Sequence, residues 1–436
     1  MATNVAAVSR FTQPMQRALQ NDFLRHGAIV FAATMVVNVL NYAIHFILSR
    51  KLGVADYGVF ASLMSALVVF GIPANLILTV VAKFVAEFHA TEDAAKVRIL
   101  SLRALALGGC IALSLFCLAV ALRRPIAEYL HLNPAHGGGT VLAAAIVLGL
   151  TFTVPVMRAV LQGMQDFSRL AASSVIEGFG RLIFGVGLVL FGFGVGGVFS
   201  GYAVAMLLAG AVTMVFIRRH WGSGAAPLRI NAARLIHTTG GVIVATSAIT
   251  LLGYIDVPLV KHFFSATDAG IYSAVSVCGK MLFFLVGFVP MLVLPKAARR
   301  ATAGLEPTRV LCEGLALTGA LAALALASFE LFSPLLVRIT YGAAFLPAAK
   351  YVFAYGIAMA LLAATNVVVN YKIGLHRYGF VVPLAIMAVV EPAAMQLFHA
   401  TLWSIIDVLI VGNAVALAGC LSTSALRRLV PRPVKA

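Results

Sequence analysis

Apolar residues run along the chain in long blocks, separated by short clusters of charge, glycine and proline. The first block, 26–49, rises about 36 Å as a helix, enough to cross a ~30 Å hydrocarbon core. It is too long for a signal-peptide core and has no clear cleavage site. Further blocks near 57–81, 100–121, 139–160, 171–193, 196–217, 240–262, 270–294, 310–333, 347–370, 379–399 and 402–424 predict eleven more spans. Between 171 and 217 no charge marks a loop, so the glycines of 192–197 place that break.

Composition agrees with the pattern. The 436 residues are 61% hydrophobic and 11% charged, with mean hydropathy +1.00. Soluble domains hold about 25% charged residues, so too little polar surface exists here to coat a water-soluble particle. The net charge of +17 does not signal nucleic acid, because no basic stretch is interleaved with aromatics on a soluble domain. It fits basic cytoplasmic loops and cavity linings. Of 32 Lys and Arg, 24 fall on one set of loops, seven on the other, and Lys280 within a span. That asymmetry predicts both termini in the cytoplasm. The five cysteines are scattered in or beside apolar runs and read as small buried hydrophobes.

The halves resemble each other at an offset of 212 residues. Gly53, Asp56, Gly58 and Phe60 after the first span fall on Ser265, Asp268, Gly270 and Tyr272 after the seventh, Tyr42 falls on Tyr254, and Tyr129 on Tyr341. The aspartates suit helix caps and the glycines close helix packing. Six spans in each half give both halves the same orientation. The expected fold is an all-α polytopic membrane protein. Its twelve transmembrane helices form two six-helix bundles related by a parallel repeat, facing a central cavity. Residues 1–25 read as a cytoplasmic lead, 26–217 as the first lobe, 218–239 as a cytoplasmic linker, 240–424 as the second lobe and 425–436 as a cytoplasmic tail.

Polar stripes mark the cavity candidates. Asn38, Asn41, His45 and Ser49 share one face of span one; Asn75, Thr79 and Lys83 repeat this on span two. Thr246, Thr250 and Tyr254 do so on span seven, and Asn366 with Asn370 on span ten. Such residues either glue helices or line a wet cavity. Lys280 lies mid-span with no evident partner nearby in sequence, and Glu177 with Arg181 forms an i,i+4 pair. Asp256, Glu391 and Asp407 are candidates to carry a coupling ion, the last two near enough to pair across their turn with a basic group. No Walker A, HExxH, nucleophile-elbow or dinucleotide motif is present. No metal or cofactor is expected, nor ATP-driven transport by this chain.

The run Ser49-Arg-Lys-Leu-Gly53-Val-Ala-Asp-Tyr-Gly58-Val-Phe and the stretch from Tyr254 to Tyr272 resemble signatures of the polysaccharide-biosynthesis flippases. These belong to the multidrug/oligosaccharidyl-lipid/polysaccharide exporter superfamily. The resemblance implies alternating-access movement of an undecaprenyl-diphosphate-linked oligosaccharide, a precursor of surface polysaccharide such as the lipopolysaccharide O-antigen. It implies a bacterial inner membrane, with a polysaccharide polymerase and glycosyltransferases as partners; a monomer is expected. Lys280, Lys83, Arg158 and Arg181 would meet the diphosphate, and Asn38, Asn41, His45, Asn366 and Asn370 the sugar. Lipid II flippases of the superfamily usually have fourteen spans, against twelve here. Multidrug exporters commonly use an acidic residue in the first span, and spans one to four here hold none between their ends. An ion-coupled small-molecule exporter and a scaffold for glycan assembly stand as the alternatives.

Overall fold

The computed structural model describes residues 29–219, 221 and 240–423 in full, and the backbone alone of 3–28, 232–239 and 424–425. The side chains of the expected lead 1–25, of linker residues 222–239 and of the tail 425–436 lie outside the described residues. Among the described residues, twelve helices are long and apolar enough to cross a membrane. They are α1 (Ile29–Phe70), α2 (Ile72–Ala90), α3 (Ala94–Tyr129), α4 (Gly137–Gly163), α5 (Phe167–Leu190) and α6 (Gly194–Arg218). The second half supplies α7 (Gly240–Phe263), α8 (Ala266–Thr302), α9 (Thr308–Thr340), α10 (Ala343–Gly374), α11 (Tyr378–Leu397) and α12 (Leu402–Thr423).

The turn expected near 50–56 is present as a sharp kink: two helical segments of α1 meet at Gly53, which leaves helical geometry (φ 76°, ψ 177°). A further break, not expected, falls at Gly71, where Pro73 has no N–H to offer the Val69 carbonyl. The expected span 57–81 therefore straddles α1 and α2. At the head of α8 the cap is Ser265 rather than Asp268: its Oγ accepts from the Asp268 N–H (3.1 Å) and donates to Asp268 Oδ2 (2.7 Å). The unmarked turn between α5 and α6 lies at 191–193, with Gly192 (φ 88°) and Gly194 (φ 54°) in backbone conformations that L side chains rarely adopt.

The chain divides into two compact units. The first takes the chain up to His45, Pro73–Ala121 and Leu142–Arg229; the second takes Phe46–Ile72, Leu122–Val141 and the chain from Ile230. In the first unit, α4 bends at Phe152–Thr153 just ahead of Pro155. Gly108 of α3 lies against the Phe152 carbonyl there, with no room for a Cβ. Close approach of this kind drives helix packing in lipid, where apolar burial alone gives little. Downstream, α5 widens into a π-helical stretch at Arg181–Val186.

The second unit contains two pieces from the first half of the sequence, and they dock at positions the 212-residue offset relates. A Cβ on Gly58 would sit 2.8 Å from the Gly270 nitrogen, and one on Gly270 would overlap the Val54 carbonyl. Arg50 donates to the Thr340 carbonyl (2.7 Å) and to Ile339 O at the end of α9, where a cation suits the helix terminus. His262 Nδ1 bonds the Tyr129 carbonyl at the end of α3 (2.9 Å), its ring stacked on Tyr129 at 3.8 Å. Arg50 and His262 are themselves 212 apart, as are Tyr129 and Tyr341. Elsewhere in this unit Val289 and Val293 of α8, Val310 of α9 and Val367 and Tyr371 of α10 form a buried core. Lys372, counted among the loop cations from sequence, is buried and bonds Cys420 O and Thr423 Oγ1 at the end of α12.

Candidate functional sites within the membrane helices

In the first unit, a charge cluster joins α4, α5 and α6. The bend at Phe152–Thr153 precedes the short helical segment that carries Arg158. Arg158 Nη2 lies 2.6 Å from Glu177 Oε2, and its Nε donates to Ser173 Oγ at 2.9 Å. Ser173 Oγ also bonds Thr213 Oγ1 of α6 at 2.6 Å. One turn beyond Glu177, Arg181 pairs with the other carboxylate oxygen, as the i,i+4 spacing predicts. Its guanidinium stands 5.3 Å from the Tyr202 ring. Arg181 is also where the π-helical stretch begins, a local widening that re-aims side chains. Two guanidiniums thus share one carboxylate, leaving one positive charge in excess. Both arginines are partly exposed, whereas Glu177 is buried.

The second unit holds a cluster of different balance. The chain breaks helix at Ile255, where Pro258 has no N–H for the Tyr254 carbonyl, and Asp256 opens the next helical segment. Asp256 is fully buried. Its Oδ2 accepts from Tyr272 (3.0 Å) and Tyr355 (2.8 Å), and Tyr355 in turn bonds Ser276 (2.9 Å). Lys280 Nζ lies 3.9 Å from Asp256 Oδ1 and 4.4 Å from the centre of the Tyr254 ring. Asp256 is therefore the partner that local sequence did not reveal. Gly279 makes room for the Tyr355 ring against α8. One ammonium, one carboxylate and two phenols leave no excess charge.

The remaining candidates spread over both units. Asn38 and Lys83 are exposed, while Asn41 and His45 are half-buried on α1. Asn370 Nδ2 donates to the Asn366 backbone and side-chain oxygens, both at 2.9 Å. Thr79, Thr246 and Thr250 each bond the carbonyl four residues back. These bonds stay inside single helices. The expected basic partner of Glu391 and Asp407 is absent: among the described residues neither enters an ion pair. Reasoning from sequence missed Ser173, Thr213, Tyr202, Ser276 and Tyr355, and noted Tyr272 only as a repeat position. Tyr355 is 99 residues from Asp256, so no helical periodicity links them.

A model of the family described as polysaccharide biosynthesis protein matches residues 23–295. The chain belongs to that family. Comparison with curated proteins finds no match. Among solved structures, this family member is similar to an inward-facing multidrug resistance MATE family transporter of the MOP superfamily. The identity is 14%, the TM-score 0.71, and the match covers 93% of this chain and 99% of that one. The lipid II flippase MurJ in an inward closed conformation is also similar, at 15% identity and TM-score 0.69, over 94% and 88%. So is the eukaryotic MATE transporter AtDTX14, at 15% identity and TM-score 0.61, over 93% and 94%. These likenesses show that the chain shares the all-helical fold of those proteins.

Proposed function

We propose that the chain is a flippase that moves an undecaprenyl-diphosphate-linked oligosaccharide across the bacterial inner membrane by alternating access, with both termini cytoplasmic. The MOP-type fold serves drug exporters and a lipid II flippase alike, so the fold does not choose the substrate. The charge of the site supports an anionic one. The observation that carries the reading is the unmatched positive charge at Arg158 and Arg181, which share Glu177 inside the membrane helices. A planar guanidinium pair suits a diphosphate and repels an organic cation. The polar stripes on α1 and α10 serve the sugar, and the polyprenyl chain stays in the bilayer.

Lys280 takes a second role in this scheme. It rests on Asp256, and an arriving diphosphate competes with that carboxylate for the ammonium. We assign coupling to this exchange, which trades one ion pair for another without stranding a charge. The contacts of Arg50 and His262, at positions 212 residues apart, support the parallel repeat.

The test uses proteoliposomes holding a labelled polyprenyl-diphosphate oligosaccharide on one leaflet, with its arrival on the other read by an added glycosidase. The expected result is movement by the native chain, loss in Lys280→Ala and recovery in Lys280→Arg. Uptake of a cationic dye down an ion gradient with no movement of the glycolipid would establish the exporter instead. Surface-polysaccharide assembly that tolerates these cavity substitutions but fails with loop substitutions would establish the scaffold.

A further inference from the structure

Three buried side chains in the second unit share one shortage. Asp256 Oδ1, both carboxylate oxygens of Glu391 and Asn413 Oδ1 have no hydrogen-bond partner among the described residues. All of these atoms are acceptors, so the missing element is a donor. Asn413, on α12, is fully buried and directs its amide to the Leu409 carbonyl (3.0 Å). Glu391, on α11, is 1% exposed, and Gly412 of α12 makes the space for it: a Cβ there would overlap Glu391 Oε2. The Asp256–Phe263 segment of α7 packs on α11. Glu391 lies near enough to Asp256 and to Tyr272 to interact with both electrostatically.

The neighbouring groups do not supply that donor. Lys280 rests on Asp256 with its ammonium over the Tyr254 ring, and Lys261, buried on α7, interacts with Asp56 of α1. Tyr272 of α8 and Tyr355 of α10 both donate to Asp256 Oδ2, which leaves Oδ1 to Lys280. On α12, Asp407 is exposed. His262 and His399 stack on Phe263 near the turn between α11 and α12. Among the described residues no three His, Cys, Asp or Glu side chains are grouped to hold a metal ion. With Glu391 ionised, two buried carboxylates would face one ammonium. A buried charge without a partner is so costly that the group neutralises instead. As a neutral acid, Glu391 gains one O–H, the donor that its surroundings lack.

We propose that Glu391 is held as a neutral, proton-bearing acid and acts as a positioning residue for Asp256, its O–H taking over Oδ1 when Lys280 leaves for an anionic headgroup. The protonation stands on the burial and the missing donor, while the hand-over rests on the proposed function. During transport Asp256 is thus not left with its phenols alone. Ionised, Glu391 has no O–H to offer and repels Asp256, so the hand-over fails as the pH rises.

Infrared spectroscopy of the purified full chain in detergent at neutral pH tests the protonation without any substrate. The native chain is expected to show a carboxylic-acid C=O band, shifted in heavy water, that Glu391→Gln lacks. No such band in the native chain overturns the proposal, whether or not the variant folds. Loss of an ionised-carboxylate band in the variant overturns it too. A melting temperature that sodium chloride raises above potassium chloride in the native chain, but not in Glu391→Gln, puts a metal cation in place of the proton and also overturns it. The proteoliposome assay tests the hand-over. Glu391→Leu, which has no donor, is expected to slow glycolipid movement at least ~10-fold, the effect of losing a bond to a charged group. Glu391→Gln, whose amide N–H replaces the O–H, is expected to restore it. Movement by the native chain is expected to fall with rising pH and that by Glu391→Gln to fall less, since the two share every other titrating group. Full movement in Glu391→Leu, or identical pH profiles of the native chain and Glu391→Gln, overturns the hand-over and leaves the proposed function standing. A native chain that moves no glycolipid overturns the proposed function and the hand-over with it, and the infrared band alone then decides the protonation.

Discussion

The two charge clusters are built from similar parts and differ in their sum. In the first unit one carboxylate, Glu177, answers two guanidiniums. In the second unit one carboxylate, Asp256, answers one ammonium and two phenols. The first is partly open and keeps a positive charge; the second is closed and neutral. A charge that the protein leaves unmatched within membrane helices is available to a ligand, whereas a matched one must first be released. Under the proposed function, the first cluster is the one that offers an anion a charge.

Removing the central carboxylate is the most severe way to break this comparison, because it strands cations in both places. Glu177→Gln leaves Arg158 and Arg181 facing each other, and Asp256→Asn leaves Lys280 buried among phenols. Each is expected to cost about 3–5 kcal/mol, the penalty for breaking a buried pair by deleting one partner. Thermal unfolding of the purified protein in detergent measures it. The compensating double variant Asp256→Asn/Lys280→Met is expected to recover most of the loss. A melting temperature unchanged in both single variants would show that water already reaches these charges.

Removing one cation separates the clusters. Arg181→Gln turns the first cluster into a neutral Arg158–Glu177 pair, which the fold tolerates; the expected stability change is within about 1 kcal/mol. Transport of the glycolipid is nonetheless expected to fall at least ~10-fold, because the spare charge is gone. Lys280→Met does the opposite to stability, leaving Asp256 buried with only its phenol donors, at a cost of about 3 kcal/mol. Equal destabilisation by both substitutions would erase the distinction between an open, unbalanced site and a closed, balanced one.

How far the sequence foretold these sites follows from distance along the chain. The twelve spans were legible because a bilayer demands ~20 apolar residues whatever the tertiary packing. The Glu177–Arg181 pair was legible because four residues are one helical turn. Arg158 joins that pair from another helix, and Tyr355 reaches Asp256 from 99 residues away; no period carries such information. The turn at 50–56 was legible from Gly53 and the charges around it, and the chain kinks there. Its second use was not legible: the same stretch is a docking surface, with Arg50 on the carbonyls of α9 and Gly58 against Gly270. Glycine and charge punctuate a chain where it turns, and the same residues also let two backbones meet.

The hydroxyl groups around each cluster give the finest test. Ser173 accepts a hydrogen bond from the Arg158 guanidinium, while Ser276 bonds Tyr355, which then donates to Asp256. Tyr355→Phe removes a donor to a buried carboxylate, and Ser173→Ala an acceptor from a guanidinium; each is expected to cost about 1.5–3 kcal/mol, the range for bonds to charged groups. Ser276→Ala removes a neutral bond one step further out, and about 0.5–1.5 kcal/mol is expected. Thermal melts of the three variants in one detergent give the order directly. If Ser276→Ala proves as damaging as Tyr355→Phe, Tyr355 needs Ser276 to orient its hydroxyl. The neutral cluster then extends through Ser276 as a single hydrogen-bonded network rather than ending at the phenols.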